Sequence, residues 1–330
     1  MRLDRWFRRR LPMLSLSHLN KIVRTGQVRV DGARVKTATR LAKGQRVRVP
    51  PLKLAIPPPT PQSSPDDLLA LRQMTLFEDR DLIVLNKPYG LAVQGGSGTP
   101  RHIDQMLAAL GDEHGGRPVL VHRLDRDTAG VLLVAKTRRI AADLGEIFRS
   151  RQARKIYWAV VKGVPKPAQG RVSLFLAKGA DPKGAQSKPG SGEVRERMRI
   201  AKHGEADARH SVTYYAVVDK LAQQFAWLSM KPVTGRTHQL RAHAEAIGHP
   251  ILGDPKYGER AKGPRGEDSL NAIAAGIEQK LHLLARRLIL PHPRGGVLDV
   301  TAPLPAHMQN TFDLFGFDTS RFDPTEAAPD

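Results

Sequence analysis

The stretch VHRLDRDTAGVLLVAKT, residues 121–137, runs from a charged cluster directly into strong β-formers. That order predicts a loop over His122 to Thr128 feeding a strand over Val131–Ala135. A loop leading into a rigid strand is a common place for groups that must be held still. Asp125 sits in that loop with Arg123 and Arg126 close on either side. Taken alone, an Asp between two arginines is more often an exposed salt-bridge cluster of little energetic value.

Upstream, LFEDRDLIVLNKP (76–88) reads as strand, turn, strand. Downstream, short apolar strands mix with a few amphipathic helices: one through Leu107 and Leu110, one over Ala141 to Phe148, and one over Thr237 to Ile247. The third puts Leu240, Ala244 and Ile247 on one face, with Gly248 closing it. Strands and helices without regular alternation predict an α+β domain with flanking helices on a mixed, largely antiparallel sheet, spanning residues 76–308. Residues 180–192 and 259–268 read as surface loops. From Gln309 onward there are five acidic residues and one Arg, so 309–330 is expected as a solvated acidic tail.

The chain has 330 residues and a formal net charge of +21. Such a balance favours a polyanionic partner, because each cation laid on a phosphate releases condensed counterions. Solubility or attraction to an anionic membrane would also fit charge alone. The absence of cysteine removes disulfides, thiolate metal sites and cysteine nucleophiles, and suits a reducing compartment. The longest apolar runs, such as Val131–Ala135, are far too short to span a bilayer.

The charge is concentrated at the front. Residues 1–50 hold 14 Lys and Arg against 2 Asp, net +12, leaving +9 for the remaining 280. Leu3, Trp6, Phe7 and Leu11 recur at helical spacing, and a second helix should start near Ser15 or Ser17 and run through Leu19, Ile22 and Val23 to a stop at Gly26. Val28 and Val30 alternate, Asp31-Gly32 makes a tight turn, and Val35, Val47 and Val49 continue a small sheet. Residues 1–52 therefore read as a small basic α/β module. KLAIPPPTPQSSP (53–65) opens a Pro/Ser-rich linker expected to reach residue 75.

HRLDRDTAG closely resembles the signature His-Arg-Leu-Asp-x-x-Thr-Ser-Gly of the RluA-type pseudouridine synthases. NKPYGLAVQGGSG (86–98) precedes it, and RKIYWAVVKG (154–163), PVTGRTHQLRAH (232–243), GHPILGDPKYG (248–258) and LLARRLILPHP (283–293) follow in the family's order. The run LSLSHLNKIVRTGQVRVDGARVK resembles the RNA-binding module named after small-subunit ribosomal protein S-four. Two departures are Ala129 in place of the usual Ser and Leu284 where the family has His.

The resemblance implies catalytic roles for Asp125, Tyr157 and Arg236. Asp125 would be the essential carboxylate, Tyr157 the tyrosine packed on the target base, and Arg236 the arginine paired with the aspartate. Arg123 would fill the gap left by a flipped nucleotide, and His122, Thr128, Lys87 and Arg241 would contact substrate RNA. The chemistry suits those residue types. The reaction breaks the glycosidic C–N bond, turns the uracil over, and joins its C5 to the ribose. A carboxylate near the sugar can stabilise positive charge, abstract a proton or bond transiently, and these routes stay open at this level. A paired arginine would keep it ionised. A uridine in folded RNA must leave its stack to be reached.

No cofactor or metal is implied: the histidines lack zinc-like spacing, and GGSG at 95–98 lacks the Lys-Ser/Thr ending of a nucleotide loop. Within the family the chain is most similar to members that act on large-subunit 23S rRNA. The expected partner is thus rRNA, with no DNA and no membrane, for a monomer in the cytoplasm. Competing readings are a family member modifying another rRNA or tRNA uridine, and a non-catalytic RNA-binding ribosome-assembly factor.

Overall fold

A computed structural model describes the chain except residues 12, 13, 15, 53–63, 97, 98, 100, 112–115, 180–196, 206, 259–275 and 328–330. Residues 53–63 of the expected linker, the surface loops expected at 180–192 and 259–268, and Ser97 and Gly98 of the GGSG run lie outside the described residues. The chain divides into two compact units, Met1–Gln62 and Ser63–Asp330.

In the first unit, helices α1 (Leu3–Arg10) and α2 (Leu16–Arg24) precede short strands β1 (Arg29–Val30), β2 (Ala33–Arg34) and β3 (Val47–Arg48), ordered β2-β1-β3 and antiparallel. Leu3 and Phe7 from α1, Leu19, Ile22 and Val23 from α2, and Val28 and Val30 form one core. The β1–β2 turn has positive φ at both Asp31 and Gly32, the backbone of the tight hairpin that an Asp-Gly pair favours. With the apolar stripe turned inward, every Lys and Arg of residues 1–50 except Arg29 is exposed.

The second unit opens with a helix where linker was expected. Ser64 caps α3 (Pro65–Met74) by accepting from the Asp67 amide, Asp67 answers by accepting from the Ser64 amide, and Pro65 holds the first helical position. Composition alone made these residues resemble the proline run before them.

The sheet runs β10-β9-β11-β12-β8-β13-β7-β5-β4, with β14 on β13 and β6 on β7. Its strands are β4 (Thr75–Glu78), β5 (Leu82–Lys87), β6 (Val119–Leu120), β7 (Ala129–Ala135), β8 (Arg154–Lys162), β9 (Gln169–Gly179), β10 (Arg197–Ala201), β11 (Arg209–Leu221), β12 (Phe225–Pro232), β13 (Leu283–Pro291) and β14 (Val297–Thr301). Every pairing is antiparallel except β7 with β13. The mixed, largely antiparallel sheet expected from sequence is what the chain builds.

Alternation along β8 and β12 divides the core. Ile156, Trp158, Val160, Phe225 and Trp227 join one cluster, and Ala159, Val161, Ala226, Leu228 and Met230 another. Helix α5 (Arg138–Arg149) contributes Ile140 and Leu144 to the first, and α6 (Gln239–Ala246) contributes Leu240 and Ala244 to the second. A third cluster joins β5 and β7 to Leu71 of α3 and to Ile103 and Met106 of α4 (Ile103–Met106). Leu107 and Leu110 form a 3-10 turn after α4 rather than a full helix.

The acidic tail is packed, contrary to the solvated end expected. Helix α7 (Ala306–Phe315) buries Met308, Phe312 and Phe315, and Phe317 follows them into the first cluster. Beyond it the Asp323 carboxylate is buried, accepting from Trp158 Nε1 at 2.9 Å and Ser229 Oγ at 2.7 Å. Aromatic burial and one satisfied carboxylate outweigh the local charge count.

Candidate active site

Asp125 lies on the loop between β6 and β7, and that loop is pinned from several sides. The Leu133 amide donates to His122 Nε2 at 2.9 Å, and the His122 ring stacks on Phe148. Leu124 is buried in the third core cluster. The Thr128 amide donates to the Asp125 carbonyl, and the Gly90 amide to that of Arg126. Lys87 is fully buried, its Nζ donating to the carbonyls of Pro88, Leu91 and Arg126 at 2.8–2.9 Å. Burial draws its pKa down to about 7, against the pull of Asp127 and Asp125. A neutral amine could not donate to all three carbonyls, so this is the contact set of an ammonium.

Gly130 fixes where the loop ends. Its φ is +109°, and it faces Ala285 across the parallel β7–β13 pair. A Cβ there would stand 2.2 Å from the Ala285 carbonyl oxygen. Only glycine lets β13 approach at this point.

The Asp125 carboxylate keeps about a fifth of its surface open, and Oδ2 faces two groups from the β12–α6 region. Arg241 Nη1 is 3.5 Å away and His238 Nε2 3.7 Å. Arg241 is itself buried and clamped by Asp254, with Nε and Nη2 each 2.7 Å from a carboxylate oxygen. Burial opposes its charge, but the Asp254 bonds and both carboxylates hold its pKa above the ordinary guanidinium value. One cation thus stands between two carboxylates. Asp254 also accepts from the amides of Lys256 and Tyr257, and Tyr257 packs its ring beneath Arg241 and Arg197.

Tyr157 enters from β8, between Met230 on β12 and Ala285 on β13. Burial first, and then the Asp125 carboxylate, push its phenol well above the ordinary range, so the neutral form faces the site. Its hydroxyl has no hydrogen-bond partner among the described residues.

These groups open onto a cavity of about 650 Å³ lined by Arg123, Asp125, Tyr157, Lys155, Arg236 and Arg241, among others. Arg149 and Arg151 also line it, and among the described residues Asp125 is its single acidic one. That volume suits an organic ligand of nucleotide size, and the cation excess suits a phosphate-bearing one.

A family profile described as RNA pseudouridylate synthase matches residues 81–246. The chain belongs to the RNA pseudouridylate synthase family. The synthase is 35% identical over 319 residues to ribosomal large subunit pseudouridine synthase C of Vibrio cholerae, covering 93% of this chain and 91% of that one. It is 36% identical over 306 residues to the protein of the same name from Escherichia coli K12, covering 92% and 89%. Among solved structures, Human RNA Pseudouridylate Synthase Domain Containing 4 matches with a TM-score of 0.60 and 30% identity, over 76% of this chain and 96% of that one.

The synthase brings Asp125, Tyr157, Arg123 and Arg241 to one cavity, but redistributes their expected roles. Arg236 lines the cavity and is exposed, with Nε donating to the His210 carbonyl at 3.4 Å. The pairing with Asp125 expected of it is made by Arg241. The reason lies in the backbone: His238 is left-handed (φ 51°, ψ 20°), so α6 begins at Gln239 rather than Thr237, and only Arg241 is carried inward on the helix.

Arg241, expected to touch RNA, is instead buried against Asp254. Lys87 and His122, also expected to touch RNA, are occupied in pinning the Asp125 loop, and Thr128 is buried within it. Arg123 is exposed at the cavity and free to reach a substrate. Sequence reasoning passed over Asp254 and Tyr257, although the motif GHPILGDPKYG contains both, and read His238 only as a hydrogen-bonding or RNA-contacting histidine without zinc-like spacing. Among the described residues no group of three or more His, Asp or Glu is placed to hold a metal ion, and no helix is long and apolar enough to cross a membrane.

Proposed function

We propose that this synthase converts uridines of large-subunit 23S rRNA to pseudouridine in the cytoplasm, with Asp125 as its reacting carboxylate. The observation that carries the reading is one aspartate among the cations that line the cavity, facing a buried arginine and a neutral tyrosine. A flipped uridine fits that cavity with its phosphates among Arg123, Arg149, Arg151, Lys155 and Arg236, and Arg123 occupies the stack it leaves. The carboxylate acts at the sugar as the C1′–N1 bond breaks. The uracil turns in place, and C1′ bonds to C5.

The hydrogen lost from C5 is balanced by one gained at N1, so no oxidant or reductant is consumed. Tyr157 stacks on the uracil as a neutral phenol, while the proton leaving C5 passes to solvent and N1 takes one up from it. Arg241, held by Asp254, faces Asp125 and aims it, in the place once expected of Arg236. The basic unit at residues 1–62 docks the RNA, as its likeness to the S-four module suggests.

The names of the two bacterial relatives support the large-subunit target. Mapping pseudouridines by carbodiimide adducts in a strain lacking the gene tests it: loss confined to 23S rRNA is expected. Loss from tRNA or small-subunit rRNA would reassign the target, and no loss would favour a non-catalytic assembly factor.

A further inference from the structure

His238 stands in a conformation that an unremarkable helix start would not require. Its φ of 51° is left-handed, a region that costs a non-glycine residue about 1 kcal/mol and persists where surroundings over-determine it. What surrounds it here is specific. Nδ1 lies 3.2 Å from the Tyr257 hydroxyl, and Nε2 lies 3.7 Å from Asp125 Oδ2. The imidazole therefore bridges a buried phenol and the reacting carboxylate, with only 9% of its side chain exposed.

The hydrogen bonding of Tyr257 decides how that bridge is protonated. Its oxygen accepts from the Met198 amide at 2.8 Å, which leaves its single proton to give away. The candidate acceptors are the Met198 carbonyl at 3.4 Å and His238 Nδ1 at 3.2 Å. A phenol proton on Nδ1 requires that nitrogen to be bare, so the ring proton sits on Nε2, pointing at Asp125. The opposite tautomer would set a nitrogen lone pair against a carboxylate oxygen. Burial draws His238 down to about 4, so the ring is neutral at physiological pH and tautomer, not charge, is what its partners select.

We infer that His238, with its tautomer set by Tyr257, is a positioning residue that holds Asp125 Oδ2 and leaves Oδ1 free for the ribose. The inference rests on Asp125 being the reacting carboxylate. Arg241 and His238 both face the same oxygen, so together they fix the rotation of the carboxylate. A carboxylate free to turn would lose alignment, and small misplacements of a reacting group cost about 10²-fold.

Two substitutions separate the halves of the bridge. His238→Asn keeps an acceptor near the Nδ1 position for Tyr257 and loses the group facing Asp125. His238→Gln places an amide N–H near the Nε2 position and gives up the bond to Tyr257. Single-turnover rates at saturating enzyme are read as tritium released to water from total RNA of a deletion strain grown on 5-tritiated uridine.

The Asn variant is expected to fall about 10- to 100-fold in rate at unchanged RNA affinity, with the Gln variant within about threefold of the parent. An Asn variant at the parent rate, or a Gln variant no faster than Asn, overturns the inference. Tyr257→Phe removes one hydroxyl and keeps the ring packing, so it reads the relay even if a His238 variant fails to fold. A severalfold slower rate is expected, and an unchanged rate overturns the tautomer argument. Asp125→Asn, run alongside, separates the failures: an active Asp125→Asn sinks the reading of the site, whereas an inactive one beside a fully active His238→Asn sinks only this inference.

Discussion

Asp125 and Arg241 are 116 residues apart in the chain and meet with 3.5 Å between a carboxylate oxygen and a guanidinium nitrogen. The contact joins the loop before β7 to the first turns of α6. Because Asp254 grips the same guanidinium at 2.7 Å through two nitrogens, Arg241 is oriented before it reaches Asp125.

That geometry separates two arginines five positions apart. Arg241→Ala is expected to lower the rate about 10²-fold or more, since it strips the reacting carboxylate of its preorganised cation. Arg236→Ala removes an exposed cation at the rim, weakening RNA binding severalfold with the rate at saturation little changed. Single-turnover kinetics over a range of enzyme concentrations check both. Equal effects on rate from the two variants would return the pairing role to Arg236.

Asp254→Asn leaves a buried guanidinium with one distant carboxylate. Breaking a buried ion pair from one side costs about 3–5 kcal/mol, so the urea midpoint should drop clearly and activity with it. A midpoint unchanged from the parent would mean the Asp254–Arg241 clamp does not hold the fold.

Phe312 is fully buried against Trp158 and Trp227. Phe312→Ala should cost about 3–5 kcal/mol, measured by denaturant unfolding. A loss below about 1 kcal/mol would restore the solvated tail that charge counting suggested.

Acid should weaken the fold through its histidines. Burial holds His122, His238, His243 and His282 each near a pKa of about 4, below the unfolded value of roughly 6.5. The unfolded chain then binds more protons, so their contribution is complete above about pH 6.5 and is lost as pH falls towards 4. Unfolding midpoints should decline across that window. A flat profile between pH 6.5 and 4.5 would contradict the buried, neutral assignment.

Removing residues 1–62 should leave the second unit folded on its own cores while RNA affinity falls and its dependence on salt becomes shallower, since exposed cations of that unit no longer displace counterions. Filter binding at several salt concentrations reads this. An unchanged affinity and slope would place the docking surface elsewhere.

Some of this was legible in the chain and some was not, for physical reasons. The loop-to-strand passage at 121–137 shows in one dimension because polarity changes sharply there, and the small N-terminal module shows because its apolar spacing is regular. The identity of the arginine beside Asp125 does not show, because it depends on a left-handed residue at position 238 that no composition rule demands. Lys87 and His122 have the side chains of RNA contacts, and only their hydrogen bonds in the fold show that carbonyls and an amide already occupy them. The tail misled through its charge: Phe312, Phe315 and Phe317 outweigh it, and Asp323 is acidic yet internal because Trp158 and Ser229 satisfy it. At Ser64 to Asp67 the helix start was written in the sequence, masked by the prolines before it.

The central claim is that the Asp125 carboxylate performs the isomerisation, and replacing one of its oxygens tests it most directly. Asp125→Asn preserves size and removes the charge. With RNA from a deletion strain labelled at C5 of uridine, the account predicts that this variant binds RNA within about twofold of the parent and releases no tritium above background. Release at the parent's rate would contradict it.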